Sequence, residues 1–334
     1  MTLRTAVIAS IAVAVIVAAC GGDGDDTPPA SPTLVATPTA ILAAETMCGA
    51  GPATMRGTVE TELLTEISGL VASRSQEDVL WAHNDSGDVA RVFAMAVDGR
   101  HLGSYTLAGV EAIDWEDMAI GPGPVEGEDY LYLGDIGDNP AERPEVIVYR
   151  VLEPDAGSSG DITDVETLVL RYPDRPHDAE VLLVDPLDGA IYIITKEIDG
   201  GPSTLFRTVD FAGPDTILEE VATVDFKALK SAVEPPDDAS PLVLGIGWLP
   251  TGGDIAPDRS VVAIRTYETV WVWQLQGGAA LSEAFTNEPC EASSAIEPQG
   301  EAIAFDATSA GFYTASEGVN PPIYYTGQDA QPLP

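Results

Sequence analysis

The sequence predicts an all-β fold, a β-propeller of four-stranded blades. Past residue 55, short runs of aromatic and β-branched residues alternate with Gly, Asp, Asn and Pro, which indicates many short strands joined by turns. One pattern recurs five times: a polar start, a short apolar strand, a turn and a second strand. Long amphipathic helical stretches are absent, and the best helical candidate is the brief segment 225–233. Repeated units of about 40–50 residues are typical of propellers.

The five copies predict the inner and second strands of five blades. Their first residues are 50, 64, 73 and 48 positions apart. The predicted pairs are residues 66–70 with 79–84, 116–120 with 130–135, 180–184 with 190–195, 253–257 with 260–265, and 301–305 with 311–316. Third strands are predicted at 91–97, 146–151, 204–209, 269–275 and 322–325, and fourth strands at 101–107, 166–172 and 217–224.

The last unit lacks a fourth strand of its own, and residues 55–63 are predicted to supply it and close the ring. Cys48 and Cys290 can pair with each other, and we predict a disulfide between them that holds this closure together. Two buried free thiols are the alternative. The segment 239–250 leaves room for part of a sixth blade, and a β-sandwich or two small β domains are the alternatives to a propeller.

The N-terminus predicts export and anchoring. Arg4 precedes 14 small and apolar residues, which are too few to span a membrane but fit a signal peptide. The stretch ends in Val-Ala-Ala followed by Cys20, which resembles the lipobox of bacterial lipoproteins. Residues 1–19 are therefore expected to be a lipoprotein signal peptide and 20–52 a Pro/Thr/Ala-rich tether, with the propeller at 53–328. An ordinary signal peptide with an incidental cysteine is the alternative.

The composition of the chain restricts the kinds of partner that it can bind. The chain carries 54 acidic and 15 basic residues, a net charge of −39, so nucleic acid is excluded as a partner. We expect a monomer in the cell envelope, outside the cytoplasm, held to the membrane by its lipid and binding an unidentified small molecule or protein.

Four glutamates occupy the same place in their repeats: Glu66, Glu116, Glu180 and Glu301. Inner strands line the central channel of a propeller, so these carboxylates are expected to face one another. Such a ring favours a bridging cation, and calcium suits carboxylate and carbonyl oxygens. In the alternative interpretation, each Glu caps a blade by accepting hydrogen bonds from backbone N–H groups.

Two loops repeat the pattern D-x-G-D after second strands. They place Asp85, Asp135 and Asp138 where several oxygens converge around a tight turn, which adds them to the candidate metal ligands. Ordinary turn formation explains the same residues equally well.

Three side chains are candidates for catalysis. His177 heads the third inner strand and is a possible general base, although a hydrogen-bonded loop histidine is the commoner case. Lys196 and Arg265 end the second strands of the third and fourth units. They are candidates for binding a substrate anion or, as we favour, for neutralising the glutamates.

The Glu-led inner strands, the Tyr-containing second strands and the Asp-rich loops resemble bacterial propellers of the NHL/TolB-like and esterase-like-phytase kind. The resemblance covers most of residues 55–326. It implies calcium in the central channel and, in some members, hydrolysis of phosphoesters or lactones.

The sequence therefore favours a lipid-anchored, calcium-binding propeller that acts as a binding module. A calcium-dependent hydrolase of phosphoesters or lactones is the first alternative, and a metal-free structural propeller is the second. Whether the protein is an enzyme stays open at this point.

Overall fold

The structure is a computed structural model that describes residues 43–209, 216–230 and 245–327. Its strands, in chain order, are β1 (Thr54–Thr58), β2 (Ile67–Ala72), β3 (Val79–Asn84), β4 (Arg91–Ala96), β5 (His101–Leu107), β6 (Trp115–Pro122), β7 (Asp129–Asp135), β8 (Val146–Leu152), β9 (Gly160–Ile162), β10 (Glu166–Arg171), β11 (Ala179–Val184), β12 (Ile191–Thr195), β13 (Ser203–Thr208), β14 (Thr216–Ile217), β15 (Glu219–Val224), β16 (Pro250–Ile255), β17 (Val261–Thr266), β18 (Val270–Gln274), β19 (Cys290–Ala292), β20 (Gly300–Phe305), β21 (Gly311–Ser316) and β22 (Pro322–Gly327). The structure also contains the helices α1 (Ala43–Cys48), α2 (Phe226–Lys230) and α3 (Leu281–Ala284).

Five sheets form the blades of a propeller. From the inner strand outward, blade 1 is β2-β3-β4-β5, blade 2 is β6-β7-β8-β10, blade 3 is β11-β12-β13-β15, blade 4 is β16-β17-β18-β19 and blade 5 is β20-β21-β22-β1. Each inner strand contacts the inner strand of the next blade, and β20 contacts β2, which closes the ring.

The predicted repeat is confirmed. All five predicted inner strands are inner strands, and each predicted second strand pairs with its own inner strand in antiparallel register. The predicted helix at 225–233 is confirmed over α2 (Phe226–Lys230), and residues 231–233 lie outside the described residues. Blade 4 takes its fourth strand from β19, which the sequence did not predict because three residues are too few to show a period.

The ring closes as predicted, with β1 antiparallel to β22 at the edge of blade 5. The disulfide between Cys48 and Cys290 is also confirmed, with their Cα atoms 6.1 Å apart. Cys290 lies in β19, so the bridge fastens α1 to blade 4, while β1 belongs to blade 5. The described part of the predicted tether, residues 43–52, is thus attached to the folded ring.

Two short strands cover blade edges. β9 lies between two strands of blade 2 in the chain but pairs in parallel with β5 of blade 1. β14 precedes the last strand of blade 3 and pairs in parallel with β10 of blade 2. Each blade edge covered in this way no longer exposes a free row of backbone hydrogen-bonding groups.

Five apolar clusters of the core lie one between each pair of neighbouring blades. A smaller sixth cluster consists of Trp248, Leu249 and Tyr267. Inner and second strands are buried on both sides, so β11 and β12 are buried throughout. Burial on both faces explains why these strands are nearly continuous apolar runs rather than alternating ones. In the part of the chain that the structure describes, no helix is long and apolar enough to cross a membrane.

Candidate functional site: a carboxylate cluster on the ring axis

The upper face of the ring is the face on which the inner strands begin. Two kinds of segment build it: the linkers that enter each blade, and the loops from second to third strands. Among the described residues these are 59–66, 85–90, 108–114, 136–145, 173–178, 196–202, 225–230, 245–249, 267–269, 293–299 and 317–321.

Five carboxylates from blades 1, 2 and 3 meet on this face, and we call them the carboxylate cluster. Candidate ligand oxygens of Asp85, Asp114 and Glu116 all lie within 4.8 Å of one another. The same limit holds for Glu116, Asp178 and Glu180. Glu116 is common to both groups and therefore joins them into one site.

Strand geometry explains the convergence. Asp114 and Glu116 are two residues apart at the start of β6, and Asp178 and Glu180 are two apart at the start of β11. The pairing of β6 with β7 is bulged at Glu116, and the pairing of β11 with β12 is bulged at Glu180. A bulge re-aims the side chain at the unpaired position, and both glutamates enter the cluster. Asp85 reaches the same place from the loop after β3.

Glu116 is buried at the centre of the cluster with no donor to its carboxylate among the described residues. Burial raises the pKa of Glu116 well above its ordinary value, and the charges of Glu180 and Asp85 raise it further. Burial, followed by the charge of Asp85, raises the pKa of Asp114 to about 6. At Glu116 and Asp114, burial and neighbouring carboxylates thus outweigh the nearby positive charges of Lys196 and Arg143.

Lys196 supplies positive charge on one side. Its ammonium group forms an ion pair with Glu180 and lies 3.4 Å from the hydroxyl of Tyr267. Burial raises the pKa of Glu180 against the opposing effect of Lys196, to about 7. Neutralisation of the glutamates by Lys196, which the sequence favoured over anion binding, agrees with this pairing.

Glu301 lies on the same side as Lys196. It is buried, and burial together with the charge of Glu180 raises its pKa well above the ordinary value. One of its oxygens accepts a hydrogen bond from the Gln299 amide at 3.2 Å, and the other has no partner. Glu301 belongs to neither group of the carboxylate cluster among the residues described.

Asp135 and Asp138 support the cluster rather than join it. Asp135 is fully buried, accepts hydrogen bonds from the backbone N–H groups of Ile113 and Asp114, and pairs with Arg143 at 2.8 Å. The backbone N–H of Asp138 donates to Asp178 at 2.8 Å. This second D-x-G-D loop therefore fixes carboxylates of blades 2 and 3, whereas in the first loop Asp85 is itself a member of the cluster.

Gly137, between those aspartates, lets the loop pack against the cluster. A Cβ at this position would collide with Oε1 of Glu116 and lie 2.6 Å from Oδ2 of Asp114. A larger residue would displace the ends of these two side chains, so the glycine lets the backbone approach the carboxylates closely as they stand.

Glu66 is exposed at the outer part of the upper face and lies in neither group. Asn84 fixes its segment: the side-chain oxygen accepts hydrogen bonds from the N–H groups of Thr65 and Glu66, both at 3.0 Å. The side-chain amide of Asn84 donates to the carbonyl of Leu63 and to Asp88.

The candidate catalytic base has other partners. His177 is buried, its Nε2 lies 3.0 Å from Asp174, and its Nδ1 lies 3.4 Å from Glu197. The ring packs against Tyr172 and Phe206. These contacts are those of a histidine held within its own loop.

Arg265 is also engaged. It is buried and pairs with the buried Glu297 at 2.6 Å, so it does not neutralise the carboxylate cluster by direct pairing. The two basic residues are not at equivalent positions: Thr195 and Thr266 pair with the first residues of their inner strands, so Lys196 corresponds to Tyr267 and not to Arg265. Only Lys196 pairs with a cluster member.

Blade capping is performed by aspartates. The Asp117 carboxylate accepts hydrogen bonds from the N–H groups of Leu182 in blade 3 and Gly253 in blade 4. Asp254 accepts one from Phe305 in blade 5. Glu116, Glu180 and Glu301 accept no backbone hydrogen bond among the described contacts.

Sequence reasoning did not select Asp114 and Asp178 as ligands. A signal was present: D-x-E occurs twice at the start of an inner strand, in blades 2 and 3. Glu317 was also missed, because nothing in its own repeat marks it. Burial, followed by the charges of Asp85 and Glu66, raises its pKa to about 7.

No protein-family model matches this chain, and no curated protein matches its sequence. The five-bladed ring is that of a propeller, while the NHL/TolB-like or esterase-like-phytase affiliation stays a prediction. What the cluster binds therefore has to be inferred from its own geometry and charge.

The donor set fits a hard divalent cation. Every candidate ligand atom in the cluster is a carboxylate oxygen, which suits calcium or magnesium rather than a thiolate- or imidazole-preferring metal.

Proposed function

We propose that this protein is a binding module whose carboxylate cluster holds calcium on the axis of the propeller. The observation that carries the proposal is the position of Glu116. It is buried, shared by both carboxylate groups, and lacks a donor among the described residues. A divalent cation would supply the missing charge and would draw the two groups together.

The proposal includes the cellular setting. The signal peptide and the acylated Cys20 fall outside the described residues, as does most of the predicted tether. What supports them is the lipobox-like sequence after an apolar stretch. An oxidising compartment outside the cytoplasm agrees with the Cys48–Cys290 disulfide.

A hydrolase is supported less well. Such an enzyme needs a base and a positively charged wall beside the metal at one mouth of the channel. His177 is paired with Asp174, Arg265 with Glu297 and Lys196 with Glu180, so all three candidate catalytic side chains already have partners. Groups satisfied by their neighbours are what a binding module would show.

Calorimetric titration of the full-length protein with calcium tests the proposal. We expect binding in the range of about 0.1–1 mM, as is common for extracellular calcium sites. The affinity should fall at least about tenfold in Glu116→Gln. Glu126→Gln is the matched control, because Glu126 is exposed on the opposite face of the ring.

Glu116→Gln also removes a buried, uncompensated charge. In metal-free buffer at neutral pH the variant should therefore melt a few degrees higher than the unaltered protein, while calcium should stabilise it less. Absence of calcium binding by the unaltered protein, or equal binding by Glu116→Gln, would rule out the cluster as the calcium site.

A further inference from the structure

Exposed apolar side chains surround the carboxylate cluster. Twelve large apolar residues are exposed among those described, and six of them lie in upper-face segments. These six form what we call the apolar rim: Leu63, Val89, Ile113, Ile198, Ile296 and Val319. The others are divided between the opposite face and the outer edges of the blades.

Hydrogen bonds join part of the rim into one surface. The Asn84 side chain donates both to the carbonyl of Leu63 and to Asp88, which precedes Val89. The N–H of Gly318, next to Val319, donates to the carbonyl of Thr65 at 2.8 Å. These hydrogen bonds connect the three segments that carry Leu63, Val89 and Val319. Exposed apolar groups collected on one face mark an interaction surface more than scattered ones do.

The rim is interleaved with acids. Ile113 adjoins Asp114, Val319 lies two residues from Glu317, and Leu63 lies three residues from Glu66. A complementary surface would carry positive charges between apolar groups, because interfaces match potential as well as shape.

The negative charge of the chain further restricts what can bind to the upper face. A second copy of a chain with a net charge of −39 would be repelled, and so would anionic lipid headgroups. The chain's own segments that adjoin the described residues in sequence cannot supply the positive charge either. Residues 21–42, 210–215, 231–244 and 328–334 contain no Lys or Arg. A different, basic polypeptide fits best.

We propose that the upper face is a docking surface for a basic polypeptide segment of another protein. The Lys or Arg side chains of this segment would contact the acidic residues of the upper face. Its neighbouring apolar side chains would cover the apolar rim. The inference deepens the proposed binding function and rests on it, but it does not require that calcium be bound. It names the class of partner that such a module would take.

The test uses the full-length protein in a non-ionic detergent and a fluorescent peptide of sequence Gly-Leu-Lys-Leu-Gly-Leu-Lys-Leu-Gly. Binding is followed by fluorescence anisotropy in metal-free buffer and again with calcium. Two further peptides carry Ser in place of Leu, or Glu in place of Lys. We expect the Leu/Lys peptide to bind and both substituted peptides to bind at least about tenfold more weakly.

The chain offers matched variants. Ile113→Ser with Val319→Ser alters two rim residues that are 53% and 73% exposed. Val125→Ser with Leu187→Ser alters two residues of the opposite face that are 52% and 70% exposed. The rim pair should weaken binding of the Leu/Lys peptide about tenfold and the opposite-face pair should leave it unchanged.

Three results would overturn the inference: no binding up to about 1 mM peptide, equal weakening by both variant pairs, or equal binding of the Ser/Lys peptide. Calcium calorimetry on the rim pair separates this inference from the calcium proposal, because neither altered residue is a candidate ligand. If the protein binds the peptide but no calcium, the docking proposal stands and the calcium proposal fails. If it binds calcium but no peptide, the calcium proposal stands and the docking proposal fails.

Discussion

At the scale of single residues, the site is governed by an imbalance of charge. Lys196 pairs with Glu180, while Glu116 and Asp114 have no basic side chain in contact among the described residues. A lysine tethered to one side of a carboxylate site leaves the other side available to a diffusible cation. Lys196 therefore compensates only part of the negative charge of the cluster.

This imbalance predicts a pH dependence of stability in the absence of metal. Burial and neighbouring carboxylates raise the pKa of Asp114 from 3.8 to about 6, and of Glu180 from 4.5 to about 7. Between about pH 4 and pH 7 the folded state then binds more protons at these sites than the unfolded chain does. Their contribution should make the folded state less stable as pH rises through this window.

Melting curves of the full-length protein from pH 4.5 to 8 in metal-free buffer check this expectation. Asp114→Asn should raise the melting temperature by a few degrees near pH 7.5 and have little effect near pH 4.5. Glu126→Gln, on the opposite face, serves as the control for the general effect of removing one negative charge. An Asp114→Asn effect that is the same at both pH values would contradict the assignment.

At the scale of elements, the inner strands are joined by buried carboxylates. Asp117 accepts hydrogen bonds from backbone N–H groups of β11 at 3.0 Å and β16 at 3.2 Å. One side chain of β6 thus holds together strands of blades 3 and 4, and β6 and β16 are in contact although their blades are not neighbours in the ring.

Removing this carboxylate should be costly. Asp117→Ala would leave the N–H groups of Leu182 and Gly253 buried without acceptors, and each such group costs about 1–3 kcal/mol. We expect the free energy of unfolding in urea to fall by about 3 kcal/mol or more. Asp164→Ala, at an exposed loop position, should change it by less than about 0.5 kcal/mol. Similar losses in both variants would mean that Asp117 does not join the blades.

The sequence allowed prediction of the elements that repeat and of little that occurs once. Inner strands such as β6 and β20 were located within two residues, since a recurring apolar strand after a polar start is a strong pattern. The short strands β9, β14 and β19 were not, because their pairing is decided by distant neighbours.

The candidate site was predicted in part. Repeat position identified Glu116 and Glu180, and loop chemistry identified Asp85, all of which the structure brings together. Repeat position also selected Glu66 and Glu301, which lie outside the two groups. The pairing register explains the case of Glu66: Ile67 pairs with Asn84 as Trp115 pairs with Asp135, so Ser68 and not Glu66 holds the place of Glu116. Glu301 does hold that place in blade 5, but it belongs to neither group among the residues described.

At the scale of the whole molecule, closure depends on the chain ends meeting. The strand β1 completes blade 5, and the disulfide ties α1 to blade 4, with a sequence separation of 242 residues between the cysteines. Such a long covalent loop restricts the unfolded chain strongly in the chain-entropy description.

The Cys48→Ala/Cys290→Ala variant should therefore lose about 2–5 kcal/mol of the free energy of unfolding. Urea denaturation with and without reductant measures the loss. Reductant should lower the stability of the unaltered protein by the same amount and leave the double variant unaffected. Unequal losses would show that the substituted side chains, rather than the bond, determine the effect.

The short parallel strands have a consequence for the order in which the molecule is completed during synthesis. Blade 1 cannot receive its outermost strand until residues 160–162 of the next blade have been made, and blade 2 must await residues 216–217. The first strand, β1, has to wait for β22, the last. A chain that stops before residue 322 therefore leaves β1 without its partner and blade 5 incomplete, which favours aggregation. Such products are natural clients for holding chaperones and quality-control proteases.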